Sequence, residues 1–171
     1  AGLTPVAILN THGHGDHIGG NAALKQAYPG APLIIGVGDA PMLTDPWENL
    51  SAMFGMPITS PPADRLLREN ELLELAGQRW AILEIPGHSP GHIVFRDLDR
   101  PIVFGGDVLF AGSVGRTDLP GGSFEQLAEG IHKKLFTLPD DVVVYPGHGP
   151  VTTVGTEKRT NPFVGLVAQR R

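Results

Sequence analysis

Residues 6–17 read Val6-Ala7-Ile8-Leu9-Asn10-Thr11-His12-Gly13-His14-Gly15-Asp16-His17, an apolar run that ends in a dense group of metal-ligand residues. Val6 to Leu9 reads as a short buried strand. The segment His12-x-His14-x-Asp16-His17 then places four ligand-type side chains in six positions. A divalent ion needs several nitrogen or oxygen donors converging on one point from a backbone that holds them still. Alternate residues of an extended loop point the same way, so His12 and His14 can serve one centre while Asp16 and His17 turn towards a neighbouring one. The competing reading is a solvated polar turn, since each histidine alone is unremarkable. Four such residues so close together argue against it.

Further along, one pattern recurs three times. His88 follows Ile85-Pro86-Gly87, Asp107 follows Phe104-Gly105-Gly106, and His148 follows Tyr145-Pro146-Gly147. Each is an apolar strand, a glycine-containing turn and then a metal-ligand residue. Glycine and proline, 23 and 16 residues, cluster beside these histidines and aspartates. That is the composition of tight turns presenting polar side chains at strand ends. Singly, each of the three reads as a turn residue; together with the first cluster they read as ligands. His92, at the start of a strand, reads better as a hydrogen-bonded histidine near the site than as a ligand. His132, beside Lys133 and Lys134 on the polar face of a helix, reads as solvated and uninvolved.

The spacing predicts a helix over about 20–28 and a second buried strand over 32–37. An irregular stretch over 38–64 follows, with short helical turns and two methionine-rich apolar patches. Strands are expected over 72–75, 79–85, 93–96, 102–104 and 142–145, with a turn at Ala76-Gly77 between the first two. The clearest helix is Phe124 to Leu135, with Ser123 as its cap and Phe124, Leu127, Ile131 and Leu135 on one face.

With 171 residues, 41% apolar and 18% charged, the chain reads as one globular α/β domain over residues 1–171. A net charge of −5 argues against nucleic acid and against an anionic membrane as partners, and no apolar run is long enough to span a bilayer. A small-molecule substrate, a cytoplasmic location and a possible homo-oligomer are the expectations. The absence of cysteine excludes disulfides, thiolate ligands and a cysteine nucleophile. The chain opens at Ala1 without a methionine, which leaves a preceding segment open.

The order His12-x-His14-x-Asp16-His17, Pro-Gly-His88, Gly-Asp107, Pro-Gly-His148 resembles the metal-site signature of the metallo-β-lactamase superfamily. Within it, Gly106 to Arg116 (GDVLFAGSVGR), its continuation to Gly122 and the ending from Gly147 to Phe163 resemble single-domain, glyoxalase II-like bacterial hydrolases. The resemblance implies a four-layer αβ/βα sandwich with two divalent metal ions, zinc first and iron or manganese as alternatives, at one edge of two sheets. One ion would take His12, His14 and His88; the other Asp16, His17 and His148; Asp107 would bridge them. Asp16 and Asp107 would act with a hydroxide held between the metals, which attacks a carbonyl carbon. Family members usually carry two or more strands ahead of the first motif. This chain has eleven residues there, so the expected sandwich lacks its N-terminal strands and exposes a sheet edge.

The implied function is hydrolysis of thioesters of the S-lactoylglutathione or hydroxyacyl-thiol type. Arg116 falls where glutathione-using relatives carry a basic residue for the substrate's anionic end; the alternative is a surface arginine paired with Asp118. Pro150 stands where those relatives have an aromatic contact. A persulfide dioxygenase-like oxidoreductase using one iron, or a lactone hydrolase, is the alternative activity. True β-lactamases lack the bridging aspartate or use a cysteine, so Asp107 and the missing cysteines argue against them.

Overall fold

The structure, a computed structural model, describes residues 2–168. It opens with strand β1 (Ile8–Leu9), helices α1 (Gly15–Ile18) and α2 (Asn21–Ala27), strand β2 (Leu33–Gly36), a 3-10 helix (Val37–Leu43) and strand β3 (Arg65–Leu67). Strands β4 (Leu72–Leu75), β5 (Gln78–Glu84), β6 (Ile93–Asp97) and β7 (Ile102–Gly106) follow, then the short pair β8 (Leu109–Phe110) and β9 (Ser113–Val114). Helix α3 (Phe124–Gly130), a π-helical turn (Ile131–Leu135), β10 (Val143–Pro146), β11 (Thr152–Thr153) and α4 (Val154–Thr160) complete the order.

The strands form a three-stranded parallel sheet, β1-β2-β3, and a six-stranded sheet, β11-β10-β7-β6-β5-β4. Side-chain alternation along the strands builds three apolar cores. Leu33 and Ile35 of β2 join Ile8, Ile18 and Leu43 under α1 and the 3-10 helix. Ile34 faces the opposite way and meets Leu73, Trp80, Ile82 and Phe95 of the large sheet. The far side of that sheet supplies Ile85, Val94, Val103 and Val144, which pack on Leu127, Ile131 and Leu135. Three cores between helix, sheet, sheet and helix make the four-layer sandwich of a mixed α/β fold.

Strand direction decides where the ligands gather. β10 runs parallel to β7, β7 antiparallel to β6, and β6 antiparallel to β5. Strands β5, β7 and β10 therefore point the same way and end at one edge. The loops leaving those three ends carry His88, Asp107 and His148, and the loop leaving β1 brings the first cluster to the same place.

The small sheet does not cover the large one completely. β1 is an edge strand, paired with β2 alone among the described residues. Phe104 and Tyr145, on the face that carries Trp80 and Phe95, remain 43% and 39% exposed.

Several local details differ from the sequence-based expectation. β1 starts at Ile8, and Val6 is exposed. The long helix caps at Ser123 as expected, its hydroxyl accepting from the Gln126 amide, but its last turn widens to the π form with Phe136 N–H on the Ile131 carbonyl. Phe124, the first residue of the helix, does not share the buried face and stands 43% exposed. α1, β8 and β9 lie in segments read as loops, where elements of two to four residues are too short to show a period; β3, β11 and the seven-residue α4 lie in segments for which no element is expected. Ile131, fully buried in the helix-sheet core, is a direct probe of that layer. Ile131→Ala should lower unfolding free energy by about 2–5 kcal/mol with little change in m-value, read by urea denaturation.

Candidate metal centre

The loop after β1 curls into α1 immediately after His14, whose backbone is still extended. That change of direction sends His12 and His14 one way and Asp16 and His17 another. Asn10 holds the curl by donating to the His17 carbonyl at 3.2 Å. Asn21 in turn donates to Asn10 at 2.8 Å and to the Ser60 hydroxyl at 3.0 Å.

Seven residues converge: His12, His14, Asp16, His17, His88, Asp107 and His148. Donor atoms of His12, His14 and His88 lie within 4.8 Å of one another, and so do those of Asp16, His17 and His148. Asp107 sits between the two groups. Its Oδ1 is 3.5 Å from His17 Nε2, and its Oδ2 is 3.5 Å from His88 Nε2 and 3.4 Å from His148 Nε2. The first group is buried, whereas the Asp16 and His148 side chains are 61% and 56% exposed.

Hydrogen bonding alone does not satisfy this cluster. His88 Nδ1 lies 2.9 Å from the Arg116 carbonyl, an acceptor, so Nδ1 carries the proton and Nε2 presents a lone pair. His14 Nδ1 faces that lone pair at 2.9 Å. If Nδ1 donates there, His14 Nε2 is a buried lone pair without a partner; if it does not, two lone pairs oppose. His12 uses Nδ1 on the Thr11 hydroxyl at 3.1 Å and leaves Nε2 buried and unpaired. Asp107 Oδ1 is also buried, and His17 Nε2 approaches it only at 3.5 Å. Protonating the rings does not resolve this, because burial and neighbouring histidines push His14 down to about 4 and His12 well below its ordinary value. His17 differs. Burial pulls it down, but its hydrogen bond to Asp107 and the Asp107 and Asp16 charges outweigh burial and raise it. Neutral imidazoles with inward lone pairs around carboxylates are the donor set a borderline divalent cation takes. The residues present fit such ions.

His92 stands beside the cluster as expected. Burial, then the neighbouring His88, pushes it down to about 3, and as a neutral ring its Nε2 accepts the Asp107 amide at 3.0 Å. Glycine is required at two of the turns. A side chain at Gly147 would strike Asp107 Oδ1, and one at Gly106, where φ is +50°, would strike Thr11 and His92.

Asp39 is the functional residue that the sequence did not show. Fully buried in the 3-10 helix, it accepts from the Gly13 amide at 3.0 Å, the Ser89 hydroxyl at 2.6 Å and the Gly91 amide at 2.6 Å. One carboxylate thus clamps the loop of His12 and His14 to the loop of His88 and His92. Its partners lie 26 to 52 residues away, beyond any local signal. Arg116 forks onto Asp118 at 2.8 and 2.9 Å, both side chains mostly exposed, while its carbonyl holds His88. His132 lies far from the centre in role, but it is not idle: its Nε2 meets the Val164 carbonyl at 2.7 Å.

Residues 1–148 match the family model of the Metallo-beta-lactamase superfamily. The chain belongs to that superfamily. It is 43% identical over 164 residues to the probable metallo-hydrolase YqgX of Bacillus subtilis, covering 95% of this chain and 77% of the relative. It is 42% identical over 159 residues to the hydroxyacylglutathione hydrolase GloC of Haemophilus influenzae, covering 92% and 74%. Among solved structures it superposes on BLEG-1 B3 metallo-beta-lactamase with TM-score 0.91 at 41% identity, covering 95% of this chain and 78% of that one. The corresponding values for TTHA1623 in a di-iron-bound form are 0.83, 44%, 95% and 79%. For ETHE1 from Myxococcus xanthus they are 0.77, 31%, 95% and 64%. The chain is thus a metallo-hydrolase of the superfamily. Among the described residues no helix is long and apolar enough to cross a membrane.

The Asp39 clamp is open to a direct test. Asp39→Asn keeps the volume but turns an N–H towards a donor, so divalent-metal affinity should fall ten- to a hundredfold, read by competition with a chromogenic chelator. Unchanged affinity would mean that the two loops hold their places without it.

Proposed function

We propose that this protein is a binuclear hydrolase of thioesters of the hydroxyacyl-thiol class, with S-lactoylglutathione as the reference substrate. The supporting observation is Asp107, whose two oxygens reach towards both donor groups. In this reading His12, His14 and His88 would hold one ion and Asp16, His17 and His148 the second, with Asp107 lying between the two groups. Zinc, iron and manganese all suit these donors, and the di-iron TTHA1623 keeps iron in view. Bound ions supply a Lewis acid for the thioester oxygen and a water ionised near neutral pH.

The chain's own residues do the rest. Asp107 is held by the His92 contact to its amide, and burial is outweighed by its hydrogen bond to His17 and by the surrounding imidazoles, which keep it ionised below the usual carboxylate range. Asp16, exposed beside His148, places a second carboxylate at the open side of the centre, 3.2 Å from His148 Nε2. A thiolate leaves without a strong general acid, so a site built from ligands and lacking an obvious acid suits a thioester. The likeness to GloC favours the same class. The likeness to BLEG-1 favours a β-lactam as the second reading, tested in parallel with a chromogenic cephalosporin.

Protein purified without chelator should carry about two metal equivalents by elemental analysis and hydrolyse S-lactoylglutathione. Chelation should abolish turnover, and adding metal back should restore it. One equivalent of iron with oxygen consumption on a persulfide would replace the proposal by the chemistry of a dioxygenase. Asp107→Ala should cost at least a hundredfold in kcat. Full activity in that variant would remove Asp107 from the centre.

A further inference from the structure

Beside the metal centre lies a cavity of about 560 Å³. His14, Asp16, His88, Asp107 and His148 form its inner end. One wall is Leu50, Phe54, Met56 and Ile58, from the stretch between the 3-10 helix and β3; the facing wall is Phe110, Val114 and Leu119. A small hydroxyacyl group leaves most of this space unfilled, so the rest belongs to the arm on the sulfur side of the thioester.

The chemistry of the walls limits what that arm can be. Glutathione brings two carboxylates and an ammonium, which need charged partners or water. Among the described residues that line the cavity, Arg116 is the one cationic side chain, and Asp118 already takes its guanidinium in a fork. Meanwhile Phe54 and Met56 stand at the cavity with 60% and 68% of their surface in water. Large apolar side chains left wet beside a reactive centre mark a surface that a ligand covers.

Both walls are fixed in advance. Asn49, fully buried, donates to the Met42 and Ile58 carbonyls, both at 2.9 Å, and accepts the Ser51 amide at 3.0 Å. The Ser51 hydroxyl accepts the Ile58 amide at 2.8 Å, and the Gly15 amide donates to the Asn49 carbonyl at 3.1 Å. The apolar wall is thereby tied to the loop that carries His14 and Asp16. Between these anchors Leu50 is held at φ +66°, a strained backbone for leucine, with its side chain buried at the cavity. Across the cavity, Glu157 accepts the Gly112 amide at 2.9 Å and Asn161 donates to the Ser113 carbonyl at 2.9 Å, which fixes the β8–β9 hairpin and with it Phe110 and Val114.

We propose that the preferred substrate is a hydroxyacyl thioester of an uncharged, apolar thiol, whose arm packs between the Leu50–Ile58 wall and the β8–β9 hairpin, rather than the glutathione thioester. This rests on the thioester reading above for its reaction and on the cavity alone for its specificity.

The test compares three lactoyl thioesters on the metal-loaded protein: those of glutathione, of N-acetylcysteamine and of phenylethanethiol. The phenylethanethiol ester should show kcat/KM at least roughly tenfold above the other two. Phe54→Ala, at an exposed position that does not threaten folding, should lower kcat/KM for that ester roughly tenfold more than for the other two, mainly through KM. Preference for the glutathione ester, lost on Arg116→Ala, would overturn the proposal. A second measurement keeps the two readings apart: calorimetric binding of the non-hydrolysable lactyl thioether analogue of phenylethanethiol. Binding that weakens roughly tenfold in Phe54→Ala, with no thioester cleaved, would sustain the apolar pocket and sink thioester hydrolysis. Cleavage without such binding would do the reverse.

Discussion

The constraint on which the rest depends is that buried imidazole lone pairs must face one another. Each neutral ring offers one donor and one acceptor, and at this centre most outward positions are already used: His12 on Thr11, His88 on the Arg116 carbonyl, His92 on the Asp107 amide. What remains points inwards, where a protein without cations leaves unpaired polar atoms at about 1–3 kcal/mol each. Such a cluster persists only if the scaffold holds it against that penalty and if cations relieve it. The co-directed ends of β5, β7 and β10, the curl of α1 and the Asp39 clamp are the scaffold's part.

The clamps share one physical form. Asp39, Asn49 and Glu157 are buried polar side chains, each hydrogen-bonded to backbone groups of the segment it holds in place. None of them relies on a cationic partner. A buried carboxylate facing N–H and O–H donors avoids the desolvation of a second ion, and a charge-assisted bond of this kind holds more firmly than a neutral one. Loops are otherwise the least fixed part of a domain. Here three irregular segments are locked by single residues, and each lock sits beside the centre or its cavity. Irregular backbone and precise geometry are therefore compatible in this fold.

This division also explains what the sequence disclosed. The ligand residues were legible because their chemistry is local: four donors within His12–His17, then Gly-His or Gly-Asp at three strand ends. Long strands and the Ser123-capped helix were legible through their period. Asp39, Asn49 and Glu157 were not, since a single acid or amide looks the same in a sequence whether it is solvated or buried. The methionine-rich patches of 38–64 were visible as apolar and aperiodic, yet their use as a cavity wall depends on the turn at Leu50 and on contacts across the chain. The pairing of Arg116 with Asp118 was legible as an alternative, but the role of the Arg116 carbonyl was not, because backbone acceptors leave no trace in side-chain patterns.

The centre is asymmetric, and that has consequences for access. His12, His14 and His88 are buried, with His12 anchored on Thr11 and His88 on the Arg116 carbonyl, whereas Asp16 and His148 stand more than half exposed at the inner end of the cavity. A substrate therefore approaches the donors from the Asp16 and His148 side, with Asp107 beneath it and the apolar walls on either flank. The buried trio fixes the geometry because it is enclosed; the exposed pair admits the reacting group because it is not. Enclosing both groups would protect the centre but close the approach, and exposing both would replace the fixed dipoles by water. The difference in burial between two donor sets that share Asp107 keeps one side rigid and the other open.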